Sequence, residues 1–347
     1  MKLKPLSQQT IVITGGSSGI GLATAKMAAR QGARVVILSR DEKGLKEIVG
    51  EISAEGGKAD HVVGDVGKRE DMRRAVETIV ERHGGFDTWV NNAGVGAYAT
   101  IEELSDQDHE RMFQTNYWGV VYGSTEALKH LKEKGGAIIN VGSISSDMPA
   151  PILSAYTATK FAVKGLTDSL RLELIHDEVP VSLTLIQPSG VHTPFGEHAK
   201  NYMDKASKVP PPVYAPELVA EAICHAAENP TRSLMIGGSG RLMTWAARVA
   251  PALTDRIFAR TFFITAREKD KAPLRHEGGF HEPGSSGTLY GDQDDHMRKT
   301  SLYTSWQTRK GVTVATLAAI GIAGAVATSW LLRPKALGDQ RPVPAEA

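Results

Sequence analysis

Tyr156 and Lys160 stand four residues apart in the run Tyr156-Thr157-Ala158-Thr159-Lys160. On a helix this spacing puts both side chains on one face. An ammonium beside a phenol favours the phenolate and lowers its pKa toward working pH. Such a pair is a general acid/base, able to give a proton to a carbonyl oxygen or take one from an alcohol. The same spacing also fits an ordinary amphipathic helix, so its meaning depends on what surrounds it.

A second group is the run Thr14-Gly15-Gly16-Ser17-Ser18-Gly19-Ile20-Gly21. Glycines let a backbone turn tightly and approach a pyrophosphate with no Cβ in the way. A helix opening after the turn offers free N–H groups and a positive dipole end to phosphates. Downstream, Leu38-Ser39-Arg40 falls where an acidic residue would accept hydrogen bonds from an adenosine ribose. Arg40 can instead pair with a 2′-phosphate, and Ser39 can hydrogen-bond it. NADP(H) is the expected cofactor, with NAD(H) as the alternative. Asp41 and Glu42 follow at once and offer Arg40 a competing, purely structural partner.

These residues need a frame. Short apolar runs occur at 11–13, 35–38, 62–63, 88–90, 137–141, 181–186 and 234–236. Runs of this kind suit strands buried on both faces, as in a parallel sheet. Between them lie helix-length stretches, among them 21–31, 43–55 and 69–82. Their alternation predicts an α/β fold, a doubly wound parallel sheet of the Rossmann type. Right-handed crossovers would set the C-terminal ends of all strands along one edge, where ligands bind.

Composition narrows the function classes. The chain has 347 residues, a hydrophobic fraction of 41% and a net charge of +1. That suffices for one large domain plus an extension, and no dense basic cluster points to nucleic acid. The single cysteine, Cys224, excludes an internal disulfide, which fits a cytoplasmic setting, and it reads as a small core residue. The eleven histidines show no metal-ligand spacing. No secretory signal is expected, because the N-terminus lacks an apolar stretch.

The sequence divides into a nucleotide-binding domain over 1–240 and three further segments. Residues 241–266 carry Leu242, Trp245, Val249, Leu253, Ile257 and Phe258 at helical spacing, interrupted by Pro251. This amphipathic stretch packs on the domain or a second subunit, or else forms a membrane-surface helix or a lid over the substrate. Residues 267–305, rich in Gly, Pro, His and charge, read as a disordered linker. Within 309–333, the uncharged stretch 311–332 is long enough to span a bilayer but rich in Ala, Thr and Gly. It is either a membrane anchor, giving membrane association, or a helix that docks on a partner.

Further residues complete a resemblance. The turn from Thr14 to Gly21 matches the T-G-x-x-x-G-x-G of the classical short-chain dehydrogenase/reductase family. Asp65-Val66, Asn91-Asn92-Ala93-Gly94, Asn116, Ser143 thirteen residues before Tyr156, and Pro188-Ser189-Gly190-Val191-His192-Thr193 follow in the family's order. The chain resembles that family over residues 7–240, with a C-terminal extension beyond it.

The resemblance implies roles. Tyr156 would be the general acid/base, Lys160 would lower its pKa and hold the nicotinamide ribose, and Ser143 would orient the substrate oxygen. Asn116 would anchor a water-linked proton path. Asp65 would hold the adenine amino group beside Val66. Asn92, Ala93 and Gly94 would line the cofactor, and Pro188, Gly190, Val191 and Thr193 would hold the nicotinamide amide. A carbonyl or alcohol substrate, hydrophobic in view of Phe195, Tyr202, Met203 and Pro210 to Pro212, would be the partner. Homo-oligomers would form through helices at about 105–133 and 154–177. Two positions depart from the pattern. Ser18 stands where many NADP-preferring relatives carry a basic residue, and Ser189 stands where glycine is usual. The competing readings are a nucleotide-binding scaffold with an unused catalytic set and an NAD-dependent dehydrogenase.

Overall fold

The computed structural model describes residues 1–268, 271–272 and 279–309. The first half alternates strand and helix: β1 (Thr10–Thr14), α1 (Gly19–Arg30), β2 (Arg34–Ser39), α2 (Glu42–Ala54), β3 (Lys58–Val63), α3 (Arg69–His83) and β4 (Thr88–Asn91). A two-residue strand, β5 (Ala97–Tyr98), leads to α4 (Asp106–Phe113) and α5 (Gly119–Lys134). Then come β6 (Gly136–Val141), α6 (Ser154–His176), β7 (Val181–Pro188) and the short α7 (Phe195–His198). The chain continues through β8 (Lys200–Asn201), β9 (Val213–Tyr214), α8 (Pro216–Glu228) and β10 (Ser233–Ile236). The extension contains α9 (Gly238–Val249), α10 (Pro251–Thr265), β11 (Met297–Arg298) and α11 (Leu302–Thr308).

All seven expected strands pair in one parallel sheet, ordered β10-β7-β6-β4-β1-β2-β3. Alternation within each strand divides the core in two. Ile11, Ile13, Val35 and Ile37 face one side, with Leu22 and Ala25 of α1 and Val219 and Ile223 of α8. Val12, Val36 and Leu38 face the other, with Met72 and Ile79 of α3 and Leu131 of α5. Both faces are covered, which is why these strands read as unbroken apolar runs. Strand order reverses at β1, which pairs with β2 on one side and β4 on the other. The crevice for a ligand opens beyond the C-terminal ends of those two strands. Cys224 is buried in α8.

Residue 240 does not end the compact unit, which runs from Met1 to Thr304. The expected amphipathic helix is two helices, because Pro251 cannot continue α9 and instead takes the first position of α10. The expected disordered linker is corrected over its described part. Residues 279–301 are tied to the domain: Phe280 is fully buried, and β11 pairs with β9. Backbone hydrogen bonds and one aromatic anchor order this stretch, and neither leaves a hydrophobic period in the sequence. Among the described residues no helix is long and apolar enough to cross a membrane. The apolar segment 311–332 lies outside them.

Candidate active site

The glycine turn sits at the C-terminal end of β1. Gly15 and Gly19 have φ of +64° and +50°, a region that L side chains rarely adopt. Gly21 packs so closely that a Cβ would lie 2.1 Å from the Gly15 carbonyl oxygen. Thr14 fastens this turn to the strand beside it. Its hydroxyl donates to Val90 O at 3.2 Å and accepts from the N–H groups of Asn92 and Ala93 at 3.0 and 3.1 Å. Asn92 Nδ2 returns bonds to Thr14 O and Gly15 O at 3.0 and 3.1 Å.

Most residues predicted to bind cofactor meet in one cleft. Gly15, Ser17, Ser18, Gly19, Ile20, Ser39, Arg40, Asp65, Val66, Asn92, Ala93, Gly94 and Thr193 all line it. Thr14 and Gly21 shape the turn from behind. The cleft fits a dinucleotide in two respects: its floor is kept free of Cβ atoms, and the N-terminus of α1 points into it. Asp65 Oδ1 accepts from Gly67 N–H at 2.9 Å, and Oδ2 accepts from Arg111 Nη2 at 2.8 Å. Burial works to raise the Asp65 carboxyl, but the Gly67 and Arg111 hydrogen bonds and the nearby Arg40 charge hold it below the ordinary value. Arg111 was not legible as a site residue, since it is a lone arginine on the exposed-looking face of α4.

Arg40 bonds neither Asp41 nor Glu42. Its Nη1 donates to Phe280 O and His281 O, both at 3.1 Å, and its Nη2 to Gly279 O at 2.5 Å and Glu282 O at 2.9 Å. Gly279, Pro283, Gly284 and Ser285 line the same cleft, and so does His198. Sequence reasoning missed this wall altogether.

A second pocket adjoins the cleft, sharing Ile20, Asn92, Gly94, Thr193 and Phe195 with it. Ser143, Tyr156, Lys160, Pro188, Gly190 and Val191 line this pocket. Much of the rest is apolar: Tyr98, Met148, Leu153, Val209 and, from the extension, Met243, Phe258 and Phe262. The Tyr156 ring stands edge-on to Phe195, with centroids 5.4 Å apart. Ser143 caps a short 3-10 turn, its hydroxyl accepting from Ser145 N–H at 3.0 Å. Ser146 instead bonds back to the Ser143 N–H, at 3.2 Å. At the departure from the pattern, the Ser189 hydroxyl donates to Ile236 O at 2.6 Å, tying the loop to the end of β10.

Lys160 is 4% exposed, and its Nζ donates to Val141 O at 2.9 Å, 5.6 Å from the centre of the Tyr156 ring. Burial pushes the Tyr156 phenol up to about 12, against a lowering hydrogen bond from Ser143. Burial also draws the Lys160 ammonium down to about 8. The lowering expected of Tyr156 is not found here: removal from water disfavours both charged forms, and the Ser143 hydrogen bond is what acts to lower the phenol.

Asn116 lines neither the cleft nor the second pocket. It is fully buried in a π-helical turn, Gln114–Trp118, between α4 and α5. Its Oδ1 accepts from Val95 N–H at 2.8 Å, and its Nδ2 donates to Val95 O at 2.9 Å and to Thr159 Oγ1 at 3.1 Å. It thereby joins the segment after β4 to α6. Among the described residues there is no cluster of three potential metal ligands.

Comparison with known proteins agrees with this geometry. The family model for short chain dehydrogenase matches residues 9–203. An uncharacterized oxidoreductase, YxnA of Bacillus subtilis, is 42% identical over 92% of this chain and 91% of its own. The 11-beta-hydroxysteroid dehydrogenase A of Sesamum indicum is 30% identical over 76% of this chain and 78% of its own. Among solved structures, an alcohol dehydrogenase from Thermococcus sibiricus complexed with 5-hydroxy-NADP is 28% identical. It has a TM-score of 0.58 and covers 66% of this chain and 95% of its own. The chain is an oxidoreductase that binds NAD(P) and acts on CH–OH and C=O groups, and it belongs to the short-chain dehydrogenase family.

Proposed function

We propose that this protein is an NADP(H)-dependent oxidoreductase for a hydrophobic carbonyl or alcohol, with Tyr156 as its general acid/base. The observation that carries this reading is the meeting of Tyr156, Ser143 and Lys160 on the wall of an apolar pocket that opens into the glycine-turn cleft. A bound nicotinamide would supply or accept the hydride. Ser143 would hydrogen-bond the substrate oxygen and orient it toward Tyr156. Tyr156, protonated up to about 12, is suited to give its Oη proton to a carbonyl oxygen. Lys160 would hold positive charge beneath that proton and bind the ribose. Asn116 would fix α6 against the segment after β4, at the start of a proton path.

The cofactor preference rests on charge. Arg40 and Arg111 bring two positive charges to the adenosine end and Asp41 and Asp65 two negative, so the preference rests on the Arg40 guanidinium, which can pair with a 2′-phosphate. The apolar lining from α9 and α10 supports a bulky apolar substrate, and the sesame relative named for a hydroxysteroid points the same way. Membrane association through 311–332 remains part of the proposal on the sequence alone. Flotation with liposomes of the full chain, but not of one ending at residue 309, would support it.

The test begins with nucleotide binding. Titration with NADPH and NADH, followed by nucleotide fluorescence, is expected to show tighter binding of NADPH. Tyr156→Phe is expected to lose about 10²–10⁴-fold in kcat on an apolar ketone while binding NADPH as wild type does. Undiminished turnover in that variant would remove Tyr156 from the mechanism. Tighter NADH binding would overturn the cofactor preference alone.

A further inference from the structure

Residues 279–288 cross the dinucleotide cleft from rim to rim. On the glycine-turn rim, Gly287 N–H donates to Ser17 O at 2.8 Å, and Gly19 N–H donates to Thr288 O at 2.9 Å. Beside them, Ser286 Oγ donates to Asp41 Oδ2 at 2.7 Å. On the opposite rim, His281 Nε2 lies 3.0 Å from Asp108 Oδ1 of α4. Phe280 is fully buried there, packed with Met112 and Val95. Between the rims, Arg40 is held by the four carbonyls of residues 279–282, and Arg111 Nε donates to Phe280 O at 3.1 Å.

Two groups suited to phosphate therefore serve this segment instead. One is the Gly19 N–H at the N-terminus of α1, and the other is the pair of Arg40 Nη atoms. A carbonyl oxygen offers each of them the partial negative charge that a phosphate oxygen would offer in full. The segment also has few apolar anchors. Phe280 is the one buried side chain among residues 279–288, next to the buried Gly279, and the other ties are hydrogen bonds. A stretch fixed by one apolar residue and a row of polar contacts opens locally far more easily than the core does.

We propose that residues 279–288 are a gate over the dinucleotide site, latched by Phe280 and positioned by Arg40 and Arg111. The gate lifts to let the nucleotide in or out and closes across its adenosine half. Arg40 is in this account a positioning residue for the gate, whatever it does for a 2′-phosphate. The inference rests on the NAD(P)-binding reading above.

Stopped-flow nucleotide fluorescence gives the association and dissociation rates of NADPH. Phe280→Ala weakens the latch and is expected to raise both rates together, by about tenfold or more, because it raises the open fraction. A rise in dissociation alone would make the segment a passive wall and overturn the gate. Unchanged rates would overturn it too. A second variant works in the other direction. Asp41→Cys with Ser286→Cys places two thiols where the present side chains touch, while Cys224 stays buried. Oxidation of that variant is expected to slow both rates at least about tenfold, with recovery on adding a reductant. Exchange at the wild-type rate in the demonstrably oxidised form would sink the proposal. A wild-type protein that bound neither nucleotide would overturn gate and cofactor reading together, whereas the rate results bear on the gate alone.

Discussion

Lys160 carries its charge almost wholly out of water, and this leaves a mark on stability. In the folded protein its ammonium titrates at about 8, against 10.5 for an ordinary lysine. Between those values the unfolded chain holds a proton that the folded chain has lost. The contribution of Lys160 to folding stability therefore rises with pH across that window, by up to about 3 kcal/mol. Lys160→Met is expected to remove this rise. Urea unfolding of wild type and variant, compared from pH 8 to 10.5, checks it. Parallel pH profiles for the two proteins would mean that Lys160 is not buried as a charge. The pairing of Tyr156 and Lys160 was legible from their spacing, because a helix fixes which residues share a face. The direction of the Tyr156 shift was not, since burial is decided by Phe195 and other residues far away in sequence.

Elements were legible in proportion to how far they depend on burying apolar faces. Six of the seven long strands announced themselves because their interiors are buried, while β3, half-exposed at the sheet edge, left only the short run Val62-Val63. The two-residue strands at Ala97–Tyr98 and Val213–Tyr214 did not, since their backbone pairs carry no side-chain period. The π-helical turn at Gln114–Trp118 was equally silent, because one extra residue in a helix changes the ladder and not the composition. The stretch 279–288 misled for a related reason: glycine, proline and charge are also the ingredients of a segment held by its carbonyls. The spacing in 241–266 suits a packing element, a membrane-surface helix or a lid, and Met243, Phe258 and Phe262 of α9 and α10 line the apolar pocket beside Tyr156. Phe262→Ala is expected to raise KM for a bulky apolar substrate about tenfold with little change for a small ketone. Steady-state kinetics on a size series of ketones would show it, and an equal effect on small and large substrates would argue against a pocket wall there.

At the scale of the whole molecule, α6 presents apolar side chains to solvent. Phe161, Leu172 and Ile175 are 45%, 64% and 66% exposed, and Trp118 before α5 is 42% exposed. Isolated apolar residues on a surface need no explanation, but a group along one long helix and its neighbour suits a subunit contact. Leu172→Glu is expected to convert an oligomer to monomers with its helical content kept, as light scattering and circular dichroism would report. A wild-type chain that is already monomeric would move the contact elsewhere.

The bridge from Gly287 to Ser17 and from Thr288 to Gly19 joins residues about 270 positions apart along the chain. The order of synthesis then matters. The nucleotide-binding strands emerge first and can fold around a dinucleotide while the bridging residues are still unmade. When those residues arrive, they close over whatever is already seated. Nucleotide seated at that moment leaves only as the stretch lifts again, so protein isolated gently and quickly should still carry some of it, seen as nucleotide absorbance.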